Sequence, residues 1–229
     1  MPFLELDLDG IAELKEQMRI PGVDPVTAAG IAEIAGVDGI SITSPDGETR
    51  NARLLLETTT TRFNWRLPLN EYSIESIMTH PPAMVTFIDP RHESQTVDLR
   101  GVADYEEYIE HVKRLGATLV AVRIDPDVKQ LKGAYKLGVD HIEINSLPYA
   151  YSDTIELREE TFDAITDIAR VAYKYDMGVS IAGGLNYQNF RALASIETVD
   201  TIVIGSTILG KAIYIGLENA LRDFIFLVK

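Results

Sequence analysis

Cysteine is absent from the 229 residues. That excludes disulfides, thiolate nucleophiles and Cys-ligated zinc or iron–sulfur centres. Histidine occurs four times and the four are scattered. His111 falls in mid-helix, His80 just ahead of a strand and His141 at a strand's start, which leaves only His92 in a loop facing a prospective site. No histidine metal cluster and no Ser–His–Asp arrangement is supported, so neither metal nor cofactor is expected. Positive charge is scarce as well, with 21 Lys and Arg against 35 Asp and Glu and a net charge of −14. Nucleic acid and anionic membrane are therefore poor partners, and an anionic ligand would need a local device to offset the global field. No apolar run approaches the roughly 18 residues of a membrane span. The start MPFLELDLDG has no basic region followed by an apolar run, so no secretory signal is read and the cytoplasm is the expected location.

What the chain does contain is alternation. Strand-like runs lie at Phe3–Leu8, Gly39–Thr43, Arg62–Leu67, Ala83–Ile88, Thr118–Ile124, His141–Asn145, Gly178–Ile181 and Thr201–Ile204. Several, such as LVAVRI and TIVI, are near-continuous apolar runs, as strands covered on both faces require. Between them lie segments with apolar residues at i, i+3 and i+4, among them AAGIAEIAG, ARLLLETT, YEEYIEHVKRLG and ETFDAITDIARVAYKY. Gly or Asp punctuation such as AGVDG and LGVD follows many of them. TTTT at Thr58–Thr61 reads as a helix end. Lys129, Lys132 and Lys136 share one helix face and read as a solvated surface. Eight strands alternating with eight helices predict one (β/α)8 barrel spanning residues 1–229 as a single domain. A doubly wound open sheet is the rival, but LDLDGIAEL lacks the G-x-G-x-x-G expected after its first strand.

In such a barrel, function collects where strands end. Those ends carry Asp7 and Asp9, Thr43 and Ser44, Arg66, Asp89 with Arg91 and His92, Asp125 with Asp127, and Glu143 with Asn145. The last two strands run into IAGGLN and IGSTILG. Glycines there let backbone N–H groups approach a ligand, and the following helix start favours an anion. Gly183, Gly184, Gly205 and Ser206 are therefore candidate phosphate holders; the plain alternative is that the glycines only permit tight turns. Asp7 and Asp9, read as alternate residues of one strand, share a face as bases, Lys anchors or ligands, or else serve as a helix cap and an ion-pair partner. Glu143 also needs a partner inside a barrel, and Arg66 is a natural one, whether the pair is structural or catalytic.

The runs VDPVTAAGIAEIAGVDGISI, HIEINSLPYAYSD, GVSIAGGLNYQNF and VIGSTILGKAIYIGLENAL together resemble the pyridoxine 5′-phosphate synthase family, in order and over essentially the whole chain. That family's enzyme closes the vitamin B6 ring from deoxyxylulose 5-phosphate and an aminoketone phosphate, on a (β/α)8 barrel that assembles into higher oligomers. The resemblance implies a transferase- or lyase-type synthase, a phosphorylated small-molecule ligand and a homo-oligomer. It matches at Asp9, Glu143, Gly184 and Gly205. It departs elsewhere: the family's catalytic histidine after the second strand is Thr43 here, and its catalytic glutamate is Arg66. Its histidine after strand seven is Gly183, its asparagine and histidine beside Asp9 are Asp7 and Gly10, and its basic loop is reduced to SPDGET. The GG and GS turns are also similar to those of hexulose-phosphate synthase, whose Asp–Lys–Asp set is incomplete here because strand three carries Arg66 and no Lys. The reading that follows is an enzyme with altered carbonyl chemistry (aldol, condensation or isomerisation). In it Glu143, with Asp7 or Asp9, is the acid–base group and Arg66 the anion or oxyanion partner, with Thr43 and Asn145 as further candidates. The alternatives are authentic ring closure by rearranged residues, and a non-catalytic barrel that binds a phospho-metabolite or scaffolds an assembly.

Overall fold

The computed structural model describes residues 1–45, 50–100 and 105–228. Eight parallel strands close into one barrel in chain order: β1 Phe3–Asp7, β2 Gly39–Thr43, β3 Arg62–Pro68, β4 Met84–Ile88, β5 Leu119–Ile124, β6 His141–Asn145, β7 Gly178–Ala182 and β8 Thr201–Ile204. β1 closes the ring by pairing with β8, Leu4 opposite Ile202. The architecture is the (β/α)8 barrel that the alternating pattern predicts.

Among the described residues eleven helices cover the sheet: α1 Asp9–Met18, α2 Pro25–Ala35, α3 Arg50–Thr58, α4 Glu71–Thr79, α5 Glu106–Lys113, α6 Val128–Lys136, α7 Leu147–Ala150, α8 Ile155–Lys174, α9 Phe190–Ala194, α10 Ser206–Ile215 and α11 Leu217–Val228. The eight-helix expectation is corrected by α1, the one-turn α7 and the separate α10. Local chemistry sets their ends. Asp24 accepts from Thr27 N at 3.1 Å ahead of α2, with Pro25 in its first turn, and Gly36 stops the helix at φ 100°. Asn70 caps α4 through Ser73 N at 2.9 Å. α3 ends at Thr58, inside the threonine run, and the Glu33 carboxylate then gathers the backbone N–H groups of Thr60 and Thr61 at 2.6 and 2.7 Å. Lys129, Lys132 and Lys136 stand in solvent on α6.

The aspartate before a strand has a repeated task. Asp38, Asp140 and Asp200 precede β2, β6 and β8, and each carboxylate accepts the N–H of the preceding strand: Leu4 at 2.9 Å, Val120 at 3.0 Å and Val179 at 2.8 Å. Each aspartate's own N–H returns to the carbonyl of the same residue. The V-D punctuation thus closes the amino-terminal rim, where strand N–H groups would otherwise lack acceptors.

The apolar side chains of the strands face the helices and form one core, with Trp65, Phe87, Phe190 and Phe224 fully buried in it. The barrel's interior is different: it is filled largely by polar and charged groups. Contacts across the ring establish this, because β3 reaches β6 and β8 reaches β3 only through the middle.

Candidate active site at the carboxyl face

Two polar layers fill the interior. In the lower one Glu5 accepts from Asn64 Nδ2 at 3.1 Å, and Asn64 Oδ1 accepts from Thr86 Oγ1 at 2.8 Å. Arg62 Nη2 lies 3.3 Å from the other Glu5 oxygen and 2.9 Å from Thr201 Oγ1. His141 shares a 2.7 Å hydrogen bond with Ser180 Oγ; burial first, and then Arg62, push the imidazole down to about 4, so it is neutral near pH 7.

The upper layer is a chain of alternating charge. Arg66 Nη1 holds Asp7 Oδ2 at 2.6 Å and Nη2 holds Glu143 Oε2 at 3.0 Å, with Glu5 3.9 Å below. The other oxygen of Glu143 accepts from Arg123 Nη1 at 2.8 Å. Burial disfavours the Glu143 carboxylate, but the two guanidinium groups outweigh burial and hold it below the ordinary range. Burial likewise opposes the Arg66 charge, and Glu143, Asp7, Asp9 and Glu5 overcome it. Both groups are therefore ionised, and each is committed to protein partners. Glu143 is fully buried and Arg66 is 1% exposed.

Asp9 stands in a different state. The alternating LDLD pattern puts it on β1 beside Asp7, but the chain turns at Leu8 and Asp9 is the first residue of α1. The two stay adjacent because Asp9 N donates to Asp7 Oδ1 at 2.8 Å. The Asp9 carboxylate is gripped by Thr43, whose N–H donates at 2.7 Å and whose Oγ1 donates at 2.6 Å. Burial and the neighbouring Asp7 charge nevertheless raise its pKa to about 7, against the pull of Arg66 and Thr43. A carboxyl that titrates near neutrality is matched to proton transfer.

Asp7 and Asp9 line a cavity of about 250 Å³ at the carboxyl ends of β1, β7 and β8. Gly183, Gly184, Gly205 and Ser206 line it too, with Gln95 and Arg123, and Gly205 lies directly against Asp7. The candidate phosphate residues are thus brought together, and with them the two aspartates. Arg66, Glu143, Thr43 and Asn145 lie behind this wall. Asn145 Nδ2 donates to Asp125 at 2.8 Å and its Oδ1 accepts Leu147 N at 3.1 Å, which anchors the start of α7. His92 is exposed and stands 3.7 Å from Asp89, which Arg91 also holds. Of the shortened SPDGET loop, residues 46–49 lie outside the described residues.

The glycines have a packing reason of their own. Gly183 and Gly184 adopt φ 115° and 67°, and a Cβ on Gly184 would sit 2.6 Å from Ala150 Cβ of α7. We expect Gly184→Ala to lose about 1–3 kcal/mol in urea denaturation, from positive φ and from overpacking against α7. Unchanged stability would refute the tight approach.

Sequence reading missed Glu5, Arg123 and Gln95. Glu5 and Asp7 alternate, as do Asn64 and Arg66 and then Glu143 and Asn145, so the period-two signal for a polar interior was present. Arg123 sits in an apolar run, but its pairing opposite Glu143 turns it inward. Gln95 has a left-handed backbone, φ 56°, at the cavity edge, and nothing in its sequence context signals that.

A closed parallel barrel of eight strands is a TIM barrel, and its cavity lies at the carboxyl ends of the strands, the face where this fold places active sites. A family model described as "Pyridoxal phosphate biosynthesis protein PdxJ" matches residues 4–229. Pyridoxine 5′-phosphate synthase of Geotalea daltonii is 31% identical, and that of Geotalea uraniireducens 32%, each over all of this chain and 99% of the relative. The chain belongs to the PdxJ family and is an enzyme of the synthase type. Solved structures at lower identity share the fold. KGPDC from Streptococcus mutans has a TM-score of 0.64 at 13% identity, with 100% of this chain and 97% of that one covered. A 3-hexulose-6-phosphate synthase has a TM-score of 0.60 at 13% identity, with 96% and 98% covered. No helix among the described residues is long and apolar enough to cross a membrane.

Proposed function

We propose that the chain binds a phosphorylated carbonyl compound in the cavity at the ends of β7 and β8, and that Asp9 moves the proton in an aldol, condensation or isomerisation step. The observation that carries this reading is Asp9 itself: a carboxyl that titrates near 7 faces the same cavity as the Gly183–Gly184 and Gly205–Ser206 turns. The phosphate is met by the backbone of those turns and by the start of α10, where helix N–H groups and the helix dipole favour an anion. The Arg66–Glu143 pair acts as a rigid wall: Glu143 has no proton to trade near pH 7, and Arg66 holds Asp7 in place beside Asp9. Burial, and then the neighbouring Asp7 carboxylate, keep the Asp9 proton in the exchangeable range, an arrangement like that of paired carboxylates that share a site.

The test is a thermal-shift series with inorganic phosphate, deoxyxylulose 5-phosphate and pyridoxine 5′-phosphate, on the wild type and on Ser206→Asp. Ser206 is exposed at the first position of α10, where an added carboxylate suits the helix dipole and leaves the fold intact. A ligand at a hundred times its Kd raises Tm by roughly 5–10 °C for a chain of this size. We expect that shift in the wild type and its loss in Ser206→Asp. An equal shift in both proteins would remove the anion from this site.

The second reading is authentic ring closure by rearranged residues, and the full-length likeness to named pyridoxine 5′-phosphate synthases favours it. Incubation with the family's two substrates decides: appearance of pyridoxine 5′-phosphate would replace the altered-chemistry reading.

A further inference from the structure

Arg123 is the cation nearest the glycine turns, and its three nitrogens are used unequally. Nε donates to the carbonyl of Ser94 at 2.8 Å, and Nη1 to Glu143 Oε1 at 2.8 Å. Nη2 has no hydrogen-bond partner among the described residues. It lies 3.3 Å from the point where a Cβ would stand on Gly183, against the turn after β7, and Arg123 is one of the residues that line the cavity. The side chain is 8% exposed. Two hydrogen bonds fix a planar guanidinium in orientation, so the remaining N–H groups point in a set direction at no further entropic cost.

The charges around it give that direction a purpose. Asp7, Arg66, Glu143 and Arg123 alternate in sign across the barrel, and the series reaches the cavity as a carboxylate at one end and a guanidinium at the other. The cavity is therefore bipolar, with Asp7, Asp9 and Glu13 on one wall and Arg123 on the other. In a protein of net charge −14, an anion enters against the overall field, and the backbone N–H groups supply only partial charge. A buried guanidinium beside them supplies the full positive charge that the turns lack.

We propose that Arg123, through Nη2, is the charged contact that holds the phosphate of the substrate against the Gly183–Gly184 turn, and so selects phosphorylated over unphosphorylated compounds. This rests on the anion site proposed above and adds to it a side chain that the glycine turns alone do not require. Gly183 fits the role: any Cβ there would come between the guanidinium and the turn.

The experiment is calorimetric titration of inorganic phosphate into the wild type, Arg123→Gln and Arg123→Lys, with the guanidinium 15N resonances of Arg123 followed in the wild type. One lost charge-assisted hydrogen bond predicts affinity weaker by about ten- to a hundred-fold in Arg123→Gln. Arg123→Lys keeps the charge and the Glu143 pairing, but one ammonium cannot also reach Ser94 and the ligand, so it is expected to be weakened too. If Arg123→Gln fails to fold, Arg123→Lys carries the comparison. Phosphate must also move the Arg123 side-chain resonances, which a purely structural arginine would keep fixed. Phosphate bound by both variants within two-fold of the wild type overturns the Arg123 assignment and leaves the anion site standing. A wild type that binds no phosphate overturns both.

Discussion

With Asp9 replaced by Asn, turnover is expected to fall by about 10²–10⁴-fold while the folded protein becomes more stable above pH 7. Asn is close to isosteric, and Thr43 still has partners: its N–H, now 2.7 Å from Asp9 Oδ1, keeps an oxygen acceptor, and its Oγ1 accepts from the new amide. The loss of activity is then a loss of the transferable proton. The stability change has a definite sign. The folded state holds the Asp9 proton up to about pH 7, whereas the ordinary value is 3.8. The folded chain therefore carries the extra proton between roughly pH 4 and 7, and Asp9's contribution to stability is lost as pH rises through that window. Asn has no such penalty, so variant and wild type coincide near pH 4 and diverge fully above 7. His141 works in the opposite sense. Held neutral down to about 4, it weakens the fold as pH falls from 6.5, because the unfolded imidazole takes up a proton that the folded one refuses. In the wild type the two slopes oppose each other; Asp9→Asn removes the first and leaves that of His141, along with the contribution of Glu5, whose carboxyl burial also raises. Urea denaturation at pH 5 and pH 8 checks this, and equal effects of the substitution at both would sink the assignment of a raised Asp9.

The barrel was legible because its strands are buried on both faces. Runs such as GISIT, HIEIN and TIVI end where the structure ends β2, β6 and β8, and the Gly and Asp punctuation between elements has a backbone partner in each case described. The start of α1 was not legible. LELDLDG continues a period-two pattern two residues past the turn, and Leu8 caps the helix through its backbone alone, at φ −93° and ψ −1°. No side-chain signal marks the change, so the alternation pairs Asp9 with Asp7 on one strand face although Asp9 opens the helix. The one-turn α7 has no period to detect. The candidate site was legible in its glycines and aspartates, which the structure gathers on one cavity. What local sequence does not carry is the wiring across the ring. That Arg66 of β3 meets Glu143 of β6 depends on closure of the barrel, which no run of neighbouring residues encodes, whereas Arg123 meets Glu143 through the register of the adjacent strands β5 and β6.

That wiring makes Arg66 the most sensitive position in the interior. Arg66→Met keeps length and much of the volume but removes the cation that three carboxylates face: Asp7 at 2.6 Å, Glu143 at 3.0 Å and Glu5 at 3.9 Å. Glu143 retains Arg123 and Glu5 retains Arg62, but the four buried or half-buried acids near the axis then outnumber the two remaining guanidinium groups. Breaking a buried pair from one side costs about 3–5 kcal/mol, because the stranded charge keeps its desolvation penalty. The loss is expected at or above that range here, since one cation serves several anions. It must also depend on pH. Without Arg66 the Glu143 and Glu5 carboxyls lose a lowering influence, so the folded variant binds protons more readily than the wild type, and acid restores part of what was lost. Denaturation at pH 5 and pH 8 should therefore find the deficit larger at pH 8. The double variant Arg66→Met with Glu143→Gln should recover part of the stability, since it removes a charge that the first substitution strands. A deficit under about 1 kcal/mol, or one that is the same at both pH values, would mean that the interior carboxylates are compensated by groups other than Arg66.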